Sequence, residues 1–186
     1  MHYLSLTDEQ LAVLVYCGER QAVTELYRRW KNGLFRFCVR LVSDAEAAED
    51  IVHDAFVTLI EARQTVNKPA SLRSWMYTVV RNDSFSFLKK KKQIRLLEEH
   101  DEGIFDDGSL MTQVERGEQR RQIATLLECL LPQYKEVLLL REYESMNYEE
   151  IAAVTGSTVN AVKSRLFKAR KALYTQMEPL RKASEI

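Results

Sequence analysis

Few residues here force a helix to stop: the 186-residue chain has three prolines and six glycines. Strand-like alternation of apolar and polar residues is missing as well, whereas apolar residues recur at steps of three and four. The chain therefore reads as all-α. Cysteine is scarce. Cys17, Cys38 and Cys129 are odd in number, and no pair has metal-ligand spacing, so neither a disulfide framework nor a metal site is expected. Cys38 and Cys129 sit inside apolar patterns and are expected as buried thiols, consistent with a reducing compartment. The three histidines, His2, His53 and His100, are scattered. With no glycine-rich phosphate loop, metal spacing or nucleophile elbow, neither catalysis nor a cofactor is expected. There is no charged-then-apolar leader and no apolar run long enough for a bilayer, so the expectation is a cytoplasmic chain without membrane insertion.

An excess of one charge is also missing. Lys plus Arg and Asp plus Glu both number 27, and the sequence pI is near 6.8. This argues against a uniformly basic nucleic-acid binder, but the charges are segregated. Residues 81–95 carry Arg81, Lys89, Lys90, Lys91, Lys92 and Arg95 against Asp83 alone. Residues 98–118 carry Glu98, Glu99, Asp101, Glu102, Asp106, Asp107, Glu115 and Glu118 against Arg116. From Ser157 onward the chain turns basic again. Blocks of this kind assign different partners to different segments. The expected organisation is an N-terminal domain over residues 1–92, a flexible acidic linker over 93–117 and a C-terminal domain over 118–186.

Within the first domain, Thr7 and Gln10 form a capping box for a helix with Leu11, Leu14 and Val15 inward, stopped by Gly18. A long helix over residues 20–42 places Val23, Leu26, Tyr27, Trp30, Leu34, Phe37, Cys38 and Leu41 on one apolar stripe. Ser43 with Glu46 suggests a second capping box and a helix to about residue 63. Ala48, Ile51, Val52, Ala55, Phe56, Leu59 and Ile60 face inward there. Glu46, Glu49, Asp50, His53, Asp54 and Glu61 face outward, and acid near the N-terminus suits the helix dipole. Residues 64–70 read as a polar loop. Ser71 then caps a helix with Leu72, Trp75, Met76, Val79 and Val80 inward and Arg73, Ser74, Tyr77, Thr78, Arg81 and Asn82 outward. Phe85, Phe87 and Leu88 precede the lysine run. Aromatics interleaved with cations suit single-stranded nucleic acid, since bases stack on rings while phosphates meet cations. A core helix ending in a solubilising lysine run reads equally well.

In the second domain Ile123, Leu126, Leu127 and Leu130 resume the helical pattern. Pro132 opens the next helix, where its missing N–H costs nothing, with Val137, Leu140 and Tyr143 inward together with Leu138 or Leu139. Residues 147–170 then read as two short helices and a tight turn. Ile151, Ala152 and Val154 are apolar positions of the first. Gly156 accepts the positive φ of the helix end, and Ser157 or Thr158 caps the second helix. Val159, Val162, Leu166 and Ala169 form its buried stripe. Asn160, Lys163, Ser164, Phe167, Lys168 and Lys171 lie opposite. A helix-turn-helix puts its second helix in the DNA major groove, and this face carries both phosphate-binding cations and base-edge donors. A solvated basic face on an ordinary helical hairpin is the plain alternative.

The order of parts resembles the small extracytoplasmic-function (ECF) group of bacterial RNA polymerase sigma factors. Residues 44–59 and 72–82 carry the resemblance in the first domain. In the second it is carried by residues 131–143, by Asn147-Tyr148-Glu149-Glu150-Ile151-Ala152, and by Val162-Lys163-Ser164-Arg165-Leu166 with the basic run to Leu173. The resemblance implies a protein that binds core RNA polymerase, directs it to promoter DNA and helps open the duplex. It implies polymerase contacts at Glu49, Asp50, His53 and Asp54, with His53 standing where relatives commonly carry glutamine. It implies minus-ten contacts at Trp75, Tyr77, Thr78, Arg81 and Asn82, the loop 64–70 cradling a flipped base. It implies minus-thirty-five contacts at Lys163, Ser164, Phe167 and Lys168, beside Asn160. Arg165 and Arg170 are expected to meet phosphates or acidic side chains. Phe167 packs either on a thymine methyl or sugar, or over the domain core. The acidic linker would follow a positively charged nucleic-acid path, and an anti-sigma factor is an expected partner. The alternative function is a stand-alone helix-turn-helix regulator with an N-terminal sensor or dimerisation domain.

Overall fold

The computed structural model describes residues 3–62, 71–98 and 125–183. Among these, every regular element is helical. The chain divides into two compact units, Met1–Asp107 and Gly108–Ile186.

The first unit opens with a single 3-10 turn, Tyr3–Ser5, and α1, Asp8–Tyr16. The Thr7–Gln10 capping box is present in both directions: Gln10 N–H donates to Thr7 Oγ1, and Thr7 N–H to Gln10 Oε1. Gly18 follows with φ at +87°, which an L side chain resists. Then comes α2, Arg20–Val42, over the span that its apolar period marks. Ala22, Leu26, Trp30, Leu34, Phe37, Cys38 and Leu41 are buried, each large side chain contributing about 1.5–3 kcal/mol. Tyr27 sits at the rim instead, its ring edge-on to Phe56 at 4.9 Å. Burial pushes the Cys38 thiol up to about 11, so it stays protonated.

Helix α3, Ala45–Ala62, starts one residue later than a Ser43 cap would require. Asp44 caps it, accepting from Ala47 N–H at 3.1 Å. Ser43 is taken up by the end of α2, in the left-handed conformation with φ at 56°. Ala48, Val52, Ala55, Phe56 and Leu59 are buried, but Ile60 is exposed at the far end of the stripe.

Helix α4, Leu72–Glu98, is capped by Ser71 and continues beyond residue 92, so residues 93–98 are helical. Its buried line is Met76, Tyr77, Val80 and Ser84, rotated by about one residue from the expected stripe. Tyr77 is a correction: it is only 2% exposed, not outward. Its ring meets Phe37 of α2 edge-to-face at 5.5 Å, a better place for an aromatic body than water. Trp75 and Val79 are accordingly only half-buried. Ser84 Oγ donates to Val80 O and lies 3.3 Å from Cys38 Sγ, which satisfies it in the core.

A charged hub fastens the N-terminal end to α2. Arg29 donates to Asp8 Oδ1 at 2.8 Å, to Glu25 Oε1 at 2.7 Å and to the carbonyls of Leu6, Tyr3 and Leu4. Trp30 Nε1 donates to the other oxygen of Asp8 at 2.8 Å. One guanidinium thus gives a partner to the carbonyls of Leu4 and Leu6 and shares that of Tyr3 with Leu6 N–H.

In the second unit residues 125–128 are helical. They are followed by α5, Pro132–Glu142, with Pro132 in its first turn, then α6, Tyr148–Thr155, and α7, Val159–Ala183. Lys135 to Leu140 are six consecutive buried residues, so α5 is covered all round and is not a one-sided helix. Tyr143, expected inward, is exposed beyond the end of α5. Cys129 is exposed rather than buried, because the helical turn that carries it ends there. The loop 64–70, residues 99–117 of the linker and Ile123 lie outside the described residues.

Hydrogen bonds from Arg28 and Arg29 hold the Glu25 carboxyl at about 2, against the opposing effect of burial, from an ordinary 4.5. A carboxyl lowered in the folded state stabilises it above the unfolded value. That contribution is lost as pH falls from about 4.5 to about 2. Glu25→Gln should therefore lower stability at neutral pH and flatten the stability-versus-pH curve in that window. Both tryptophans, Trp30 and Trp75, lie in this unit, so urea unfolding followed by tryptophan fluorescence reads it. An unchanged slope would show that the hub is not what titrates.

Candidate nucleic-acid and protein interface

Two helices of the first unit carry its candidate residues. On α3, Glu49, Asp50, His53 and Asp54 are all exposed and share one face. The same side continues into Val57, an exposed apolar residue. Asp83 of α4 joins this acidic region. Its carboxyl is raised, first by loss of water around it and then by the charge of Asp54. Such a face offers carboxylates with a little apolar surface, a match for a basic amphipathic partner.

On α4, Trp75, Thr78 and Asn82 follow one another at steps of three and four along a row reaching the surface, and Arg81 flanks them. The Arg81 guanidinium lies 4.6 Å from the centre of the Phe85 ring and donates to Asn82 Oδ1 at 3.1 Å. Cation and amide are therefore held as a unit. Thr78 Oγ1 donates back to Ser74 O. Tyr77, the fifth expected member, lies beneath this row. The Arg73 guanidinium is 5.4 Å from its ring, so Tyr77 supports a cation rather than presenting itself. Lys89 to Lys92 are exposed on the following turns.

In the second unit the geometry is a helix-turn-helix. Asn147 and Glu150 form a capping box, with Glu150 N–H donating to Asn147 Oδ1 and Asn147 N–H to Glu150 Oε2, both at 2.8 Å. This cap is an addition to the sequence expectations, and an Asn three residues before a Glu at a helix start is its signal. Ile151 and Val154 are buried. Gly156 ends α6 with φ at 59°. Thr158, not Ser157, caps α7, accepting from Ala161 N–H at 3.2 Å. Ser157 instead bonds Thr155 Oγ1 at 2.7 Å and steadies the turn.

On α7, Val162, Leu166 and Ala169 are buried, as the spacing requires. Asn160, Lys163, Ser164, Phe167 and Lys168 are all exposed. Phe167 is 69% exposed, so it does not close over the core. The two arginines take the acidic option. Arg165 pairs with the buried Glu136 at 3.8 Å, and Arg170 with Glu142 at 2.7 Å. Both acids belong to α5, so α7 is tied to α5 at two levels while its lysines are left to the outer face. Beside that face lies a groove of about 430 Å³ lined by Tyr148, Leu166, Phe167 and Tyr174 with Lys163, Arg170 and Lys171.

Comparison with known proteins agrees with this division. Residues 26–94 match the family model described as Sigma-70 region 2, and residues 120–173 the one described as Sigma-70, region 4. The chain is 31% identical over 150 residues to RNA polymerase sigma factor SigV of Bacillus subtilis (strain 168), covering 79% of this chain and 86% of that protein. It is 26% identical to the ECF RNA polymerase sigma-E factor of Escherichia coli (strain K12), covering 94% and 96%. The fold matches that of CnrH in complex with the cytosolic domain of CnrY, with a TM-score of 0.72 at 22% identity over 92% of this chain and 97% of that one. It also matches sigma factor RpoE in complex with the anti-sigma factor NepR from Bartonella quintana. There the TM-score is 0.68 at 22% identity, over 85% and 96%.

The two α5–α7 pairs differ in burial, and their substitutions should differ accordingly. Glu136→Ala removes a fully buried carboxylate from beside the partly exposed Arg165 guanidinium and should cost about 1–3 kcal/mol. Glu142→Ala breaks a pair whose members are both half exposed and should cost under about 1 kcal/mol. Hydrogen exchange of the α7 amides measures both. Equal effects would mean that the buried pair does not fix the helix.

Proposed function

The chain belongs to the RNA polymerase sigma factors of the extracytoplasmic-function group, and on that premise we propose how its residues divide the work. As a member of that family it binds core RNA polymerase, directs it to promoter DNA and takes part in initiation. The observation that carries the division is the sorting of charge by helix face. Acid is displayed on α3, aromatic and polar groups on α4, and exposed lysines on α7.

The face of Glu49, Asp50, His53 and Asp54 docks the polymerase. Its carboxylates suit a basic surface, and Val57 adds apolar contact. The row of Trp75, Thr78, Arg81 and Asn82 takes the minus-ten element, Trp75 offering a surface for an unpaired base and Arg81 a cation for phosphate. Tyr77 belongs to this site from below, by bracing Arg73. Asn160, Lys163, Ser164, Phe167 and Lys168 take the minus-thirty-five element in the major groove. There Lys163 and Ser164 have donors for base edges, and Phe167 has an exposed ring for a thymine methyl. The acidic stretch of residues 99–117 is the proposed tether between the two modules, the first of which carries α4 as far as Glu98.

Polymerase would set the spacing of the two modules. Engagement of one promoter element then raises the effective concentration of the other, without a new contact. Capture of unpaired bases by the first module draws the duplex open without nucleotide hydrolysis. The chain itself performs no catalysis in this scheme and uses no cofactor. It works in the cytoplasm, where polymerase and promoters are. An anti-sigma factor, as in the complex of RpoE with NepR, is its proposed restraint. Among the described residues no helix is long and apolar enough to cross a membrane.

The full chain should co-elute with core polymerase on gel filtration and direct it to defined start sites on genomic DNA. Asp50→Lys with Asp54→Lys should abolish co-elution while leaving the fold intact by circular dichroism. Lys163→Ala should leave co-elution unchanged and weaken binding to the selected promoter by about 1–3 kcal/mol. Unaltered co-elution of the first variant would remove the α3 face from the polymerase interface.

A further inference from the structure

We infer that Tyr148 is a positioning residue for DNA reading: its ring holds the Lys163 ammonium in place for one base pair of the upstream element. The inference rests on the assignment of Lys163 to that element. Tyr148 opens α6, and its backbone is fixed by the Asn147–Glu150 capping box. Two cations lie against its ring. The Arg141 guanidinium is 5.0 Å from the ring centre and the Lys163 ammonium 5.5 Å, both within the range of a cation–π contact. Arg141 is itself anchored, because it donates to Met146 O at 2.8 Å across the α5–α6 connection. That connection turns at Ser145, whose φ is 55°. The ring is thus held from its own helix start and from the end of α5, and Lys163 reaches it from α7.

The consequence follows from what lysine is. Its ammonium is a point charge on a flexible four-carbon stem, with no fork to fix direction. Pointed into solvent, it would attract any phosphate within reach. To discriminate bases it must present a donor at one place, and ordering the stem on binding works against affinity. A ring half-buried at the edge of the groove removes part of that disorder beforehand. Lys168, on the same outer face, lines neither this groove nor the ring. Lys163 is therefore the lysine equipped to specify, and Lys168 the one equipped to attract phosphate.

Holoenzyme assembled from the full chain and core polymerase is used to select duplexes from a pool randomised across the upstream element, and the bound fraction is sequenced. The forms compared are wild type, Lys163→Ala, Tyr148→Phe and Tyr148→Leu, each with its thermal midpoint measured. Lys163→Ala should flatten the preference at one base-pair position. Tyr148→Leu should flatten that same position by roughly two- to fivefold, the span of an exposed cation–π contact. Tyr148→Phe, which keeps the ring, should match wild type. If Lys163→Ala flattens a position and Tyr148→Leu leaves it sharp, the positioning role is wrong and the assignment of Lys163 stands. The role is equally wrong if Tyr148→Leu weakens all sequences evenly, as loss of a phosphate contact or of folding would. If Lys163→Ala changes no position, the assignment itself fails and the inference goes with it.

Discussion

Every short helix in this chain must bury one stripe or melt, and that requirement decides what each can show to a partner. An isolated helix of eight residues, the length of α6, is not stable in water. Burial of Ile151 and Val154 and the double cap at Asn147 hold it. Once a stripe is committed inward, the 3.6-residue turn leaves no choice about what faces out. Burial of Val162, Leu166 and Ala169 puts Lys163, Ser164, Phe167 and Lys168 in the open. Burial of Val52, Ala55, Phe56 and Leu59 does the same for Asp50, His53 and Asp54. The proposed binding faces are products of the core.

Charge inside the molecule serves a different purpose from charge outside, and the two cation types divide along that line on α7. Arg165 and Arg170 lie on the flanks of the buried stripe, where each meets an acid of α5. A planar fork with several donors is suited to a fixed partner. Lys163 and Lys168 stand outside, Lys163 against the Tyr148 ring and Lys168 exposed on the next turn. The first unit repeats the rule. Arg29 gathers Asp8, Glu25 and three carbonyls into one hub, while the lysines of residues 89–92 are left to solvent. An exchange of Arg for Lys along α7 would thus change the packing of the helix before it changed any contact with DNA.

Periodicity made most of this legible in the sequence. The limits of α2, the caps at Thr7 and Ser71, the turn at Gly156 and the outer face of α7 follow from local rules. The misses have physical causes that no local pattern carries. Tyr77 has a polar tip and an apolar body, so the stripe alone cannot say which end wins; Phe37, forty residues earlier, decides it. Helix α5 is buried on all sides by neighbours the period cannot see, which hides Lys135 and Glu136 beside four apolar residues. Ser43 had two uses, cap of one helix or end of another, and the left-handed end prevailed. Nothing local singles out Tyr148; its place is set by Arg141 of α5 and Lys163 of α7, which lie against its ring.

The balance of 27 cations against 27 anions has a consequence for how such faces work. A uniformly basic protein is drawn to any DNA from a distance. In this chain the acid of α3 offsets the cations of α4 within one unit, so its long-range attraction to DNA is weakened. At physiological salt, fields between exposed charges fade over roughly 8 Å in any case. Each face therefore acts only at close range, on the partner laid against it. On that scheme, weak attraction of the free chain to DNA would keep it from being lost on non-specific sites, whose competition is set largely by phosphate contacts. In the proposed scheme polymerase then supplies what the chain's own charge withholds: it brings promoter DNA within reach of both modules together, and short-range contacts become sufficient.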